Sequence, residues 1–357
     1  MNQVRLYVGS QYRVEDMSHI TLLFPFWGPI LRDTMPYIKN AVMQHLYDGK
    51  DFVLVEHAAD ADFVVVPHSY ERYKRKYPEK LAQLKAEARA AHKLILADAS
   101  SDVEHPILDE DIVVFRQSQY RYTQKDNEIT IPLSAEDLLE SYYGGVLTIR
   151  HKHVVPSISF MGWARLPLAR HIKTKIKELP KLFYSVFNSD FSAEQRGVFL
   201  RQRALKILKN NTAIDSRFLI RDSYSGHIET LQGSVEEKRK QFVSNIFDAD
   251  YALCVRGDGN SSIRFYEALS LGRIPLLLDT ACVFPLEDKI DYKEFCVFVD
   301  HKDLAHIDER LIQFHAACSP EKFEQMQRRA REIFCVYLRN DVFYQHVAEK
   351  LRSFLVR

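Results

Sequence analysis

Short apolar runs recur along the first third of the chain: "RLYVG", "FVLVEH", "DFVVVPH", "KLILAD" and "DIVVFRQ". Several are apolar at consecutive rather than alternate positions, the pattern of parallel strands covered on both faces. Between two of them lies "PEKLAQLKAEARAAHK", where Leu81, Leu84, Ala88 and Ala91 repeat at helical spacing behind Pro78, a residue suited to a first turn. Strand, helix, strand in this rhythm predicts an α/β domain. The pattern loosens over 123–155, and a second series follows with "SISFMGWA", "SRFLIRDS", "YALCV", "RIPLLLD" and "FCVFVD". From Ser319 onward the chain is helical by period, with Ser319 as cap and Pro320 in the first turn.

A chain of 357 residues exceeds what one hydrophobic core usually organises. The pattern therefore predicts two α/β lobes, residues 1–150 and 151–335, with a last helical segment at 336–357 packing back on the first lobe. Ligands of such sheets lie outside the carboxyl ends of the strands, so functional residues are sought just after the apolar runs.

Composition narrows the class. Hydrophobic residues make up 46% and charged residues 27%, values of a globular enzyme, and the formal net charge of +1 argues against a nucleic-acid partner. No apolar run approaches a membrane span, and "MNQVRLYVGSQYR" lacks the layout of a secretory signal. The expectation is a cytoplasmic protein; a Golgi luminal domain is the alternative if an anchor precedes it. The basic run "ERYKRKYPEK" reads as a solvated helix start, with an acidic glycan or peripheral membrane contact as its functional alternative. Cys254, Cys282, Cys296, Cys318 and Cys335 show no CxxC spacing and mostly sit in apolar runs, as buried free thiols do.

The stretch "YALCVRGDGNSSIRFYEALSLGRIPLLLD" carries the most chemistry. Gly257 and Gly259 open a loop after an apolar run, Ser262 is placed to cap a helix closed by Gly272, and Arg256 and Arg264 bracket the loop with positive charge. This combination predicts a phosphate or diphosphate site. Glu267, on the same side of the helix, is placed to accept from ribose hydroxyls; the plainer reading is an ion pair with Arg264. A P-loop is excluded because no lysine follows the glycines. A dinucleotide fingerprint lacks its third glycine, yet Asp279 stands where a ribose-binding acid would, so a dinucleotide-dependent oxidoreductase is the alternative.

The same stretch resembles the signature of the exostosin-like glycosyltransferases, a pattern of the form RG…S.R..EAL..G.IPV. "HAADADFVVVP", "NEITIP", "SISFMG" and "FPLEDKIDYKEFCVFV" are similar to further elements of that family, in the same order. Arg273 departs from it, standing where many relatives have cysteine. The resemblance implies an inverting glycosyltransferase of GT-B architecture, two Rossmann-like lobes facing each other, with the acceptor on the first lobe and the nucleotide sugar, mostly UDP-linked, on the second. It implies that Arg264 and Glu267 contact diphosphate and ribose. Arg256, Gly257, Asn260, Ser261 and Ser262 then line the donor, and Arg165 is the matching basic residue after "SFMG". Glycan or polysaccharide acceptors follow from it as well, with association at a membrane or in a glycan-assembly complex. An inactive assembly partner on the same fold is a further alternative.

Donors aimed at the developing diphosphate charge lower the barrier without a metal. "DAD" at 60–62 and at 248–250 precedes its strand each time, so both read as solvated turns and capping acids. No metal or other cofactor is expected. Inversion also requires a general base on the first lobe. Asp98 after "KLILA", His68 after "DFVVVP" and Asp33 after "PFWGPILR" each stand where the strand rule puts one, with Asp98 first among them. Each has a plain alternative in a helix cap, a loop hydrogen bond or a pair with Arg32. Trp27, in a Pro-Gly turn, is the expected acceptor contact.

Overall fold

Among the described residues eleven parallel strands form two separate sheets, one for each series of apolar runs. The computed structural model describes residues 3–30, 36–103, 105–165, 176, 193–221 and 234–355. The first sheet contains β1 (Val4–Tyr7), β2 (Phe52–Val55), β3 (Phe63–Ser69), β4 (Leu94–Asp98), β5 (Ile112–Arg116) and β6 (Glu128–Thr130), in the order β2-β1-β3-β4-β5-β6. The second contains β7 (Ser157–Trp163), β8 (Asp215–Arg221), β9 (Tyr251–Cys254), β10 (Ile274–Asp279) and β11 (Val297–Asp300), in the order β11-β10-β9-β7-β8. Counted within its own lobe, each sheet runs second strand, first, third, fourth, fifth. This is a doubly wound α/β order, and it appears twice, in keeping with the two α/β lobes expected from the sequence; the first sheet adds β6 beyond it.

Core burial explains why these runs became strands. β3 is buried over Phe63–His68, as parallel strands covered on both faces must be. Its register against β4 shifts between Val65 and Ser69. Pro67 lies in that interval and has no N–H to give the ladder.

The apolar pattern did not reveal β6. It has only three residues, and Glu128 within it is buried against Arg116 of β5, Nε to Oε1 2.6 Å. A buried ion pair looks polar in the sequence and therefore hides the strand.

The carboxyl-terminal region crosses between the lobes. The helix Pro320–Ile333 is capped by the Ser319 hydroxyl, which accepts from Lys322 N, and it buries Phe323, Met326 and Ile333 in the second core. A π-helical turn at Phe334–Leu338 follows, and the final helix Asn340–Phe354 puts Phe343, Tyr344, Val347, Ala348 and Leu351 into the first core. The wide turn re-aims the chain from one core to the other. Among the described residues no helix is long and apolar enough to cross a membrane.

Phe343 is almost fully buried among first-lobe strands although it lies near the end of the chain. Phe343→Ala is expected to destabilise the first lobe by about 3–5 kcal/mol. Urea titration followed by fluorescence of Trp27, a first-lobe residue, checks this; an unmoved midpoint would mean the final helix contributes nothing to that core.

Candidate functional site

The second sheet reverses its strand order between β7 and β9, so a crevice opens outside their carboxyl ends. A cleft of about 1000 Å³ lies there. Met161, Gly162 and Trp163 at the end of β7 form one wall, and Val255, Gly257, Asp258, Ser261 and Ser262 after β9 form another. Ser101, Asp102 and Gln117 of the first lobe line it as well, so the cleft lies between the lobes.

Arg264 stands in the first turn of the helix Ile263–Ser270 and lines this cleft. Its Nη2 donates to Met161 O at 2.5 Å, its guanidinium lies 4.2 Å from the Phe160 ring centroid, and its Nε is buried without a hydrogen-bond partner. Among the described residues no carboxylate lies within ion-pair distance of it. Burial pulls its pKa down, outweighing the opposing influence of Cys254 and Glu267 nearby. Ser262 occupies the N-cap position but makes no side-chain bond to the helix. The positive end of the helix and an unpaired guanidinium thus face the same space. Gly272, with φ +62°, ends the helix in the left-handed region where glycine is favoured.

Glu267 is only 3% exposed, yet it does not pair with Arg264. Arg239 takes that role, with Nη1 3.0 Å from Glu267 Oε1 and Nη2 3.0 Å from Glu136 Oε2. Burial pulls the Arg239 pKa down, but the two carboxylates outweigh it and hold the group above its ordinary value. Among the described residues Glu267 Oε2 has no hydrogen-bond donor. Sequence reasoning missed Arg239. Its available signal was Ser234 and Glu237, a capping box that starts the helix Val235–Phe247 and places Arg239 in its second turn. Arg221, at the end of β8, is a second cation of the cleft; its guanidinium meets Met161 Sδ at 4.0 Å.

The other loop residues divide by what they bond. Ser261, Ser262 and Gly257 line the cleft. Arg256 does not line it: its guanidinium donates to the Tyr120 hydroxyl, to Ala193 O at 3.0 Å and to Asp258 O at 2.8 Å. Asn260 likewise turns away, with its N–H on Ser118 Oγ and its side-chain amide on Gln119 O and Thr280 O at 2.8 and 3.1 Å. Both serve as clasps to the first lobe. Arg121 reinforces them, pairing with Asp279 while its own N–H donates to Ala281 O at 2.8 Å. Asp279, the residue on which a dinucleotide reading rested, is thereby committed to the lobe contact.

Neither loop glycine adopts a positive φ. Gly259 is small for a different reason. A Cβ there would lie 2.9 Å from Asp102 Cα, Asp102 Oδ1 and Ser118 Oγ, whereas one at Gly257 would meet nothing closer than 3.8 Å.

The residues sought as a base are scattered. His68 ends β3 at the first lobe's own strand reversal, but the chain at 13–20 covers it: Nε2 accepts from Val14 N at 3.0 Å and Nδ1 donates to Ser18 O at 2.9 Å. Asp98 accepts from Ser100 N at 2.8 Å and does not line the cleft. Trp27 is half-buried, edge-on to His19 at 5.0 Å, and also outside the cleft wall. Arg165 is exposed beyond β7 and does not line it. Asp33 falls outside the described residues.

The second aspartate of each "DAD" sequence is tied down. Asp62 pairs with Arg5 at 2.7 Å. Asp250 is 1% exposed, contrary to the solvated turn expected, and accepts from Arg150 and Ser157 N, each at 3.0 Å. Elsewhere His45, Asp137 and Glu140 converge, but both Asp137 oxygens accept from Arg331, at 2.6 and 2.9 Å, so a cation already holds that carboxylate.

Two outcomes test these placements. Gly259→Ala should lower the thermal midpoint by several degrees and Gly257→Ala by far less, since only the first meets backbone across the lobe contact. His68 is held neutral, its pKa lowered by burial from 6.5. Its contribution to stability is therefore present above the unfolded value of about 6.5 and lost as pH falls from there through the lower folded value. Denaturation midpoints at pH 7.5 and 5.5 should diverge in the wild type, and the difference should shrink in His68→Gln.

A family model described as the exostosin GT47 domain matches residues 117–314, just over half of the chain. Exostosin-1 of Drosophila melanogaster is 35% identical over 74 residues, 21% of this chain and 10% of that protein. The Exostosin-1 homolog of Caenorhabditis elegans is 26% identical over 113 residues, 31% of this chain and 28% of that protein. The matched stretch thus spans less than a third of either relative. A solved glycosyltransferase from Rickettsia africae ESF-5 superposes over 99% of both chains, at 11% identity and a TM-score of 0.39.

Proposed function

The chain belongs to the exostosin GT47 family, and from that premise we propose that it is an inverting glycosyltransferase moving a sugar from a nucleotide sugar to a glycan or polysaccharide acceptor. The donor half of the cleft is the second lobe, and the nucleotide is UDP, the one the family resemblance implies. The observation that carries this reading is Arg264, a cleft guanidinium with an unbonded Nε and no carboxylate partner among the described residues. A diphosphate supplies the missing negative charge. Ser261, Ser262 and the start of the helix Ile263–Ser270 surround the same position, and Arg221 adds a second positive charge.

Glu267 accepts from the ribose hydroxyls in this reading. Arg239 holds its Oε1 and so fixes the direction in which Oε2 points. As the bond from the sugar to the diphosphate breaks, charge grows on the leaving phosphate. Fixed donors at that point stabilise it most when they need no rearrangement. Arg264 is already packed against Phe160 and anchored to Met161 O, which meets that requirement. The reaction needs no metal on this account. The acceptor approaches from the first lobe, along the wall of Ser101, Asp102 and Gln117.

The test is ligand-induced stabilisation. UDP at 100 times its Kd should stabilise the protein by about 2.7 kcal/mol, seen as a raised thermal midpoint, and NAD should leave it unmoved. Arg264→Ala should weaken UDP at least tenfold, while Arg165→Ala, outside the cleft, should not. UDP-independent melting in the wild type would refute the donor assignment.

A further inference from the structure

The acceptor proton needs a recipient on the first-lobe wall of the cleft; Asp98 and His68 are not on that wall, and Asp33 lies outside the described residues. Among the described residues two first-lobe carboxylates line the cleft; Glu136 is held by Arg239, which leaves Asp102, four positions beyond the end of β4. It is exposed, and its Oδ1 lies beside Gly259 at the edge of the donor loop. The neighbouring Gly259 N–H favours the charged form of that carboxylate. The glycine also explains the approach, because no larger residue would let the Asp102 backbone come so near the loop that leads into Ser261 and Ser262. Asp102 is thus a first-lobe carboxylate placed by contact with the second lobe, next to the proposed diphosphate cradle.

We infer that Asp102 is the general base of the transfer reaction, an assignment that rests on the glycosyltransferase reading above. A proton leaves the acceptor hydroxyl for an Asp102 carboxylate oxygen. The acceptor oxygen forms its bond to the anomeric carbon, while the bond from that carbon to the diphosphate oxygen breaks and its electron pair departs with the nucleoside diphosphate. Asp102 then returns the proton to solvent. Atoms and charge balance without a further reactant.

The surroundings suit the task. Although the residue is exposed, partial desolvation beside the facing loop and the neighbouring Asp258 carboxylate push the Asp102 pKa up; the Gly259 N–H and the Arg256 charge oppose them. A carboxylate raised from its ordinary value is a stronger base. The electrostatic partners that matter are Asp258 and Arg256, both on the second lobe. The strength of the base therefore depends on the lobes being closed against each other.

The experiment combines three variants with UDP stabilisation and transfer kinetics, scored on a panel of UDP-sugars and oligosaccharide acceptors. Asp102→Asn is expected to keep the fold and the UDP-induced rise in melting temperature while kcat falls between a hundredfold and ten-thousandfold. Asp102→Glu should recover part of that loss. Asp258→Asn should move the acidic limb of the kcat/KM profile to lower pH, because it removes a charge that raises the base; a merely structural Asp102 would leave that limb in place. Transfer by Asp102→Asn within threefold of wild type, or a fixed limb in Asp258→Asn, overturns the assignment alone. A wild type that neither binds UDP nor transfers overturns the donor reading and the assignment with it.

Discussion

Asn260 joins the two lobes, and the shape of the cleft depends on that joint. Its backbone and side-chain amides reach Ser118 and Gln119 of the first lobe, and the same side chain also holds Thr280 of the second. The receiving segment is stiff for a reason further down. Glu128 accepts from Arg116 and from Gln119 Nε2 at 2.8 Å, all three buried, so the position of Gln119 is set by an ion pair inside the first sheet. Breaking a buried pair leaves an uncompensated charge and is costly. The donor loop therefore inherits its position from the core of the other lobe. Arg256 on Tyr120 and Arg121 on Asp279 repeat the same device on either side of Asn260.

The cleft charges divide into those the fold neutralises and those it leaves open. Arg239 lies between two carboxylates that neutralise its charge without a ligand, although its Nε has no partner among the described residues. Arg264 has one carbonyl and an aromatic face, with no acid in ion-pair contact among the described residues. Holding a cation in that state costs desolvation that a surface arginine avoids. An anion arriving there needs neither to displace a partner nor to reorganise the site. Glu267 makes no ion pair with Arg264; its Oε1 is held instead by Arg239, from a different helix.

Strand-end positions are a sound guide to the neighbourhood of a site and a poor guide to its members. Asp98 and His68 both end strands, yet one bonds the turn that follows it and the other is covered by residues 13–20. Asp102, a few residues later in a polar loop, carries no periodic signal. The glycine pair is instructive in the same way. A sequence shows that two small residues are present, and the usual expectation is an unusual backbone angle. Here Gly259 is small because another lobe touches it, a contact between residues far apart in the chain.

From its sequence alone the chain is legible as two α/β lobes with a loop and helix suited to a phosphate. Strand burial follows from consecutive apolar residues and helix ends from local caps, all of which are short-range properties. Tertiary structure decided β6, because a buried Arg116–Glu128 pair disguises it as polar. It decided that Arg256 and Asn260 clasp the lobes while Arg264 faces the cleft, since adjacent residues of one polar loop point in different directions. It also brought Asp102 to Gly259. These are contacts between distant segments, and no local pattern of hydrophobic and polar residues encodes which segments will meet.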